Sequence, residues 1–212
     1  MNRLAELLGE LPLIAILRGV APGEVEAIGE ALVAEGFRGL EVPLNSPEPM
    51  ESIRRLARRF GKEALVGAGT VLDPADIGRV AAAGGRLIVM PHGDPQVLRE
   101  AKRRGLVCIP GVATPSEAFA ALARGADALK LFPREALPPA VVKAWRAVLP
   151  EAVWLLPVGG IGPDSLAAYL AAGADGFGIG SALYRPGRSA AEVAASARAF
   201  VAAWRQAARP HD

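Results

Sequence analysis

The chain has 212 residues, of which 51% are apolar and 22% charged, and its formal net charge is +2. This length and composition can bury a sizeable core, and the charge gives no reason to expect binding to nucleic acid. No apolar run reaches the ~18 residues of a membrane span, and the N-terminus lacks the basic start and apolar core of a signal peptide. The single cysteine, Cys108, excludes an internal disulfide and fits a reducing compartment. We therefore expect a cytoplasmic protein without membrane or nucleic-acid partners.

Apolar segments alternate along the chain with segments rich in Ala, Leu, Glu and Arg. We predict β-strands at 11–19, 39–44, 65–72, 86–91, 107–113, 128–133, 153–161 and 176–183. We predict α-helices at 22–35, 47–60, 74–83, 95–104, 115–124, 138–149, 163–172 and 190–208. Near-continuous apolar strands that alternate with helices are typical of a parallel sheet covered by helices.

The predicted helices begin and end at residues suited to those positions. Each of the first seven begins at or beside a proline, which the first helical position tolerates. Residues that can cap a helix precede four of these prolines: Ser46, Asp73, Asp94 and Thr114. Glycines that can terminate a helix follow four of the segments: Gly36, Gly105, Gly125 and Gly173.

Eight strand–helix units in a chain of this length predict an α/β barrel. We expect a single (β/α)8 TIM barrel that occupies residues 1–212 as one domain. An open doubly wound sheet ranks second, because no Gly-x-Gly-x-x-Gly motif follows the first predicted strand.

Lys130 lies inside the sixth predicted strand, between Leu129 and Leu131. An ammonium group is strongly hydrated, and a buried lysine is almost always paired or functional. Desolvation favours the neutral amine, which makes Lys130 a candidate nucleophile toward a carbonyl. The alternative is that its amine reaches water along an apolar wall at the strand end.

Glu41 lies inside the second predicted strand. Alternation places Glu41 opposite Leu40 and Val42, and it places Lys130 opposite Leu129 and Leu131, so both charged residues can face the barrel interior. A buried ion pair without a function would explain this arrangement. A carboxyl group and a lysine near the mouth of a barrel can also form an acid/base pair around a carbonyl, and we favour this interpretation.

Glycines after the last two predicted strands indicate a phosphate site. Backbone N–H groups in these two loops of a barrel often bind an anion. The loops contain Gly159-Gly160 and Gly180-Ser181. Arg18, at the end of the first predicted strand, offers a planar cation suited to a carboxylate or a phosphate. The combined residues predict a site for a phosphorylated oxo-acid.

Several of these segments resemble one enzyme family along essentially the whole chain. Segments 14–19, 40–44, 66–72, 129–133 and 158–160 are similar to those of the 2-keto-3-deoxy-6-phosphogluconate and 2-keto-3-deoxy-6-phosphogalactonate aldolases. The motifs Gly-Ala-Gly-Thr-Val-Leu and Lys-x-Phe-Pro, in this order, are highly specific. The resemblance implies a class I aldolase in which Lys130 forms a Schiff base and Glu41 is the general acid/base. It also implies that Thr70 and Arg18 contact the keto-acid end, and that Gly160, Gly180 and Ser181 hold the phosphate.

This chemistry requires neither a metal nor an organic cofactor. His92 and His211 show no ligand-like spacing with each other or with Cys108, which disfavours a zinc-dependent aldolase. His92 follows the fourth predicted strand, where it either lines the mouth of the site or has no role.

Two positions bear on the choice of substrate. The phosphogluconate type resembles a pattern with an arginine four residues after the glutamate and a threonine before the Gly-Gly pair. This chain has Asn45 and Val158 at those positions. Because the two substrates differ in configuration at C4, a threonine hydroxyl near C4 could discriminate between them and a valine could not. We therefore favour the galactonate epimer, or acceptance of both epimers.

Two other classes of function remain as alternatives. A phosphosugar isomerase or epimerase would use the phosphate loops and Glu41, with Lys130 only as an electrostatic group. A non-catalytic phosphate-ligand binding barrel would need no reactive amine. The resemblance also implies a homotrimer, and closed cyclic symmetry suits a small barrel with exposed apolar helix faces.

Overall fold

The computed structural model describes residues 3–208. The strands are β1 (Leu13–Ile16), β2 (Gly39–Pro43), β3 (Leu65–Gly69), β4 (Leu87–Val89), β5 (Val107–Ile109), β6 (Gly111–Val112), β7 (Leu129–Leu131), β8 (Leu155–Pro157) and β9 (Phe177–Ile179). The helices are α1 (Arg3–Leu8), α2 (Val25–Ala34), α3 (Pro49–Phe60), α4 (Pro74–Ala82), α5 (Pro95–Arg103), α6 (Pro115–Leu122), α7 (Pro139–Arg146), α8 (Leu166–Ala171) and α9 (Ala190–Ala207). Short 3-10 turns occur at Arg134–Ala136 and Pro163–Ser165. Within the described part of the chain, no helix combines the length and the apolar character needed to cross a membrane.

The strands are parallel and form two adjoining sheets. The larger has the order β5-β4-β3-β2-β1-β9, and the smaller has the order β6-β7-β8. Pro110 separates β5 from β6, because proline has no N–H for a strand ladder. At the opposite edge, an isolated parallel bridge joins Val158 to Gly178. The predicted α/β fold with parallel strands is confirmed, but the predicted fifth strand is divided in two.

Alternation along the strands separates two apolar clusters. The inner cluster contains Leu4, Leu8, Ile14, Leu65, Leu87, Val89, Val107, Ile109, Ala128 and Leu156. The outer cluster lies between the strands and the helices. It contains the residues on the other face of the strands, including Leu40, Val42, Leu129 and Leu131, together with apolar residues of the helices. The predicted faces of the second and sixth segments are therefore confirmed. Lys130 shares the inner face with Ala128.

Helix α1 was not predicted, because six residues are too few to show a helical period. Its residues Leu4 and Leu8 are fully buried in the inner cluster. A side chain at Gly39, the first residue of β2, would lie 2.9 Å from Leu8 Cδ2. Helix α1 therefore closes the interior at the end where the strands begin, away from their carboxyl ends.

Three of the four predicted N-caps are confirmed. The Asp73 and Asp94 carboxylates accept hydrogen bonds from the first turns of α4 and α5, and Thr114 forms a capping box with Glu117. The prediction for Ser46 is wrong, because α3 begins at Pro49 and Ser46 Oγ instead accepts a hydrogen bond from the Gly19 N–H at 2.9 Å.

Proline does not begin every helix that was expected to begin with it. Helix α2 begins at Val25 rather than beside Pro22, and Pro163 starts a 3-10 turn before α8. The four predicted terminal glycines all have positive φ, with values of 99° at Gly36, 70° at Gly105, 85° at Gly125 and 97° at Gly173. These left-handed residues end the helices as predicted.

Candidate active site

One pocket, at the carboxyl ends of the strands, contains almost all of the predicted site residues. Its volume of about 640 Å³ is suited to a small molecule. The predicted residues in its lining are Arg18, Thr70, Lys130, Val158, Gly159, Gly160, Gly180 and Ser181. Glu41 lines a second, smaller cavity that adjoins this pocket. Ile16, Lys130 and Val158 line both the pocket and this cavity. The structure therefore brings the predicted residues together around Lys130.

Lys130 lies in the middle of β7, and its side chain enters the interior. The residue is only 6% exposed, and its Nζ lies 4.5 Å from the centroid of the Phe132 ring. Burial lowers the pKa of Lys130, the nearby Glu41 carboxyl raises it, and Arg18 lowers it again. The resulting shift below the ordinary lysine value increases the fraction of neutral, nucleophilic amine.

Glu41 lies in β2 and is 2% exposed. Burial raises its pKa to about 7, against the lowering effects of Lys130 and Arg18. Its Oε2 atom is buried and accepts no hydrogen bond within the described chain. A carboxyl group with a pKa near neutrality can both accept and return a proton at physiological pH.

Gly69, the last residue of β3, provides the space for the Glu41 carboxyl group. A Cβ atom at this position would overlap Glu41 Oε1, Oε2 and Cδ. Strand pairing aligns Pro43 with Gly69 and Glu41 with Gly67, so β3 presents two glycines beside this part of β2. Gly69 therefore has a packing role toward the carboxyl group, whereas a Cβ atom at Gly67 would instead overlap the backbone of Leu87.

Arg18 joins the ends of the first three strands. Its guanidinium group donates to Asn45 Oδ1 at 2.6 Å and to Thr70 Oγ1 at 3.2 Å. Thr70 has a φ of 53°, a left-handed conformation that is unusual for a β-branched residue. Arg18 is exposed within the pocket mouth, so its remaining donors can meet an anionic group of a ligand.

Gly159 and Gly160 form a turn after β8, with φ values of 115° and 55°. A Cβ atom on either glycine would lie 3.1–3.5 Å from the carboxylate of Glu135. Val158 precedes the turn and is buried, and a side chain at Gly178 would clash with it at 2.7 Å. The absence of side chains at these glycines lets the backbone approach the pocket and keeps Val158 in its lining.

His92 is exposed and is not among the residues that line the pocket, whereas the preceding Pro91 is. His211 lies outside the described residues. Among residues 3–208, no group of three or more His, Cys, Asp or Glu side chains could hold a metal ion. Cys108 is buried, and burial raises the pKa of its thiol to about 12.

Sequence reasoning missed several residues that line the pocket. Tyr184, Arg185 and Pro186 follow β9 and join Ser181 at the mouth. The one feature of the sequence that could have indicated these residues is their position a few residues after Gly180-Ser181, the predicted phosphate contact. No motif marks them, because a loop path cannot be read from an apolar period.

A desolvated lysine and a buried carboxyl group, at the carboxyl edge of parallel strands, are typical of an enzyme of carbonyl chemistry. Comparison with known proteins specifies that class as a carbon–carbon lyase. Residues 4–195 match the family model for KDPG and KHG aldolase. The chain belongs to this aldolase family.

Three relatives illustrate the similarity. The chain is 48% identical, over 92% of both chains, to the probable 2-dehydro-3-deoxy-6-phosphogalactonate aldolase of Rhizobium meliloti strain 1021. It is 46% identical to the 2-dehydro-3-deoxy-6-phosphogalactonate aldolase of Escherichia coli K12, over 93% of this chain and 97% of the relative. A solved structure described as native KDPGal superimposes with a TM-score of 0.91 at 47% identity, over 93% of this chain and 96% of that one.

Gly69→Ala tests the packing around Glu41. We expect kcat to fall at least about 10-fold, because the new methyl group displaces the Glu41 carboxyl group, which is the predicted general acid/base. In a Glu41→Ala background the same substitution should have little further effect, since the overlapping atoms are gone. Steady-state kinetics of the four combinations measure this coupling. Gly23→Ala, with no atom within 4 Å of the new Cβ, is the control. Additive effects in the cycle would contradict the packing role.

Proposed function

We propose that this enzyme is a class I aldolase that cleaves 2-keto-3-deoxy-6-phosphogalactonate to pyruvate and glyceraldehyde 3-phosphate. The observation that carries the proposal is the burial of Lys130, with its lowered pKa, directly between Glu41's cavity and the open pocket. Amine attack on a ketone needs a neutral nucleophile and a nearby proton carrier, and this arrangement supplies both.

The reaction proceeds through a Schiff base on Lys130. Nζ attacks the C2 ketone, and loss of water gives a protonated imine. Glu41 accepts the proton of the C4 hydroxyl, and the electrons of the C3–C4 bond move into the imine as the bond breaks. Glyceraldehyde 3-phosphate leaves, and the enamine carbon C3 takes a proton from Glu41. Water then hydrolyses the imine, which releases pyruvate and restores the amine.

The two charged ends of the substrate have separate partners in this proposal. Arg18 and Thr70 contact the carboxylate of the keto acid, since both lie beside Lys130 in the pocket lining. The phosphate contacts the turn at Gly159-Gly160 and the end of β9 at Gly180 and Ser181. Backbone N–H groups in such turns are suited to a phosphate.

Preference for the galactonate epimer rests on two positions and on the relatives. Val158 lines both the pocket and the cavity that contains Glu41, so its side chain lies near the atoms that would react. Asn45 holds one side of Arg18 through its amide oxygen. Both relatives of 46–48% identity carry the phosphogalactonate name.

The complete architecture is also part of the proposal. We infer that the two sheets make one closed (β/α)8 barrel in a single domain spanning residues 1–212. The chain runs directly from β5 through Pro110 to β6, and the Val158–Gly178 bridge joins the other edges. We also propose that the enzyme acts in the cytoplasm, which suits a phosphorylated substrate and a chain with a single cysteine.

Lys130→Arg should abolish cleavage, because arginine stays charged and cannot form an imine. Treatment with pyruvate and borohydride should add a pyruvate-derived mass at Lys130 of the unaltered enzyme and none to the variant. Peptide mass spectrometry measures the adduct, and Lys62→Arg, at an exposed position, should behave as the unaltered enzyme. Unmodified Lys130 after this treatment would favour an isomerase, an epimerase or a phosphate-binding barrel.

Glu41→Gln should lower kcat by roughly 10²–10⁴-fold, the usual effect of losing an acid/base group. Because Glu41 must be ionised to accept the C4 proton and its pKa is about 7, kcat/KM of the unaltered enzyme should rise as pH increases through that value. This ionisation should vanish from the pH–rate profile of the variant. Glu63→Gln, at an exposed residue, is the matched control. Retention of the ionisation in Glu41→Gln would assign it to another group.

Val158→Thr should shift the ratio of kcat/KM toward the gluconate epimer. The threonine keeps nearly the same shape and adds one hydroxyl near C4, so a hydrogen bond of about 0.5–1.5 kcal/mol predicts a roughly 2- to 12-fold shift. Assays with both epimers measure the ratio. The same substitution at Val148, which is 59% exposed, should leave it unchanged. An unaltered ratio in Val158→Thr would place discrimination elsewhere.

We propose that the enzyme is a homotrimer. Large apolar side chains are exposed at Leu72, Phe119 and Val148, and burial between subunits would stabilise them. Sedimentation equilibrium should give about three times the chain mass of 22.0 kDa. A species of one chain at micromolar concentration would contradict the proposal.

A further inference from the structure

We propose that Arg185 binds the substrate phosphate and makes the site selective for phosphorylated keto acids. The residue lies in the segment between β9 and α9, outside the glycine turns assigned to the phosphate above. This inference rests on the proposed function, because it assigns a further contact within the same pocket.

The segment that carries Arg185 is a compact turn. Leu183 N and Tyr184 N both donate to the Gly180 carbonyl, at 2.9 and 3.0 Å. The Arg188 N–H donates to the Arg185 carbonyl at 3.1 Å. The backbone around Arg185 is therefore fixed by hydrogen bonds before any ligand enters, which reduces the entropy lost on binding.

Two contacts hold this turn against the rest of the pocket mouth. The Tyr184 hydroxyl donates to Glu24 Oε1 at 2.8 Å, although the two residues are far apart in sequence. Pro186 packs against Gly19, where an added Cβ would lie 2.7 Å from Pro186 Cγ. The turn is thus anchored beside Arg18, at the end of β1.

One hydrogen bond, from Nε, orients the Arg185 side chain. Its terminal nitrogens, Nη1 and Nη2, can then bind a ligand. Nε donates to the Ser181 carbonyl at 2.8 Å, which holds the guanidinium group next to the proposed phosphate turn. Among residues 3–208, no carboxylate forms an ion pair with Arg185. A guanidinium group with its terminal nitrogens available can bind two phosphate oxygens at once.

The charges in the pocket match a substrate with two anionic ends. The described lining contains the cations Arg18, Lys130 and Arg185, and the carboxylate of Glu135 lies behind the turn at Gly159-Gly160. A phosphate carries a charge of about −1.5 to −2 near neutral pH, and the keto-acid carboxylate adds a further negative charge. Arg18 and the protonated imine face the carboxylate end, whereas Arg185 is held beside Ser181 at the proposed phosphate turn. Arg134 lies on the other side of that turn, where its Nη2 would be 3.4 Å from a Cβ atom at Gly160.

The test compares the phosphorylated keto acid with its non-phosphorylated counterpart. We expect Arg185→Gln to lower the ratio of their kcat/KM values by roughly 10- to 100-fold, because a charge-assisted hydrogen bond is lost only with the phosphorylated substrate. Inorganic phosphate should also become a weaker competitive inhibitor. Arg185→Lys should recover part of the ratio, since it keeps the charge but loses the planar fork. Arg99→Gln, on the exposed face of α5, is the matched charge control.

Two outcomes separate this inference from the proposed function. If the unaltered enzyme gains no pyruvate adduct with borohydride, the aldolase mechanism fails. If the adduct forms in both the unaltered enzyme and Arg185→Gln while the substrate ratio is unchanged, the role of Arg185 is overturned and the aldolase mechanism stands. An equal loss of ratio in Arg99→Gln would also overturn it, because the effect would then be one of overall charge.

Discussion

The site depends on the shared desolvation of Lys130 and Glu41. Burial lowers the pKa of the amine and raises that of the carboxyl group, while the attraction between their charged forms opposes both shifts. The interior consequently makes both the ammonium and the carboxylate less favourable than in water, and the ionisation of each group depends on that of the other. The surrounding structure maintains this condition, through Gly69, which leaves space for the carboxyl group, and through the apolar inner faces of the strands.

The alternating pattern of the sequence predicted the general fold and the faces of both charged residues. Period-two alternation is a local property, so the inward placement of Lys130 and Glu41 required no knowledge of their neighbours. The same holds for three N-caps and four terminal glycines, whose conformations depend on one turn of chain. The joint position of the site residues followed from the fold class, since parallel strands end at a common edge.

Features that depend on distant contacts could not be predicted in this way. Ser46 resembles an N-cap locally, but its hydroxyl, in the loop after β2, accepts a hydrogen bond from the Gly19 N–H in the loop after the neighbouring β1. Pro110 interrupts an apolar run whose composition is that of a continuous strand. Arg185 reaches the pocket because the residues on either side of it hold its loop in place. Tyr184 donates a hydrogen bond to Glu24, just before α2, and Pro186 packs against Gly19, just after β1. Each case involves a partner that only the folded chain brings near.

The short helix α1 has a chemical consequence despite its distance from the carboxyl ends of the strands. Leu4 and Leu8 complete the apolar cluster that includes Ala128, two residues before Lys130. Their side chains close this end of the apolar interior, and burial is the main cause of the lowered pKa of Lys130. The N-terminal helix thus belongs to the apolar interior in which the pKa of Lys130 is lowered, although it lies at the opposite end of the strands from the pocket.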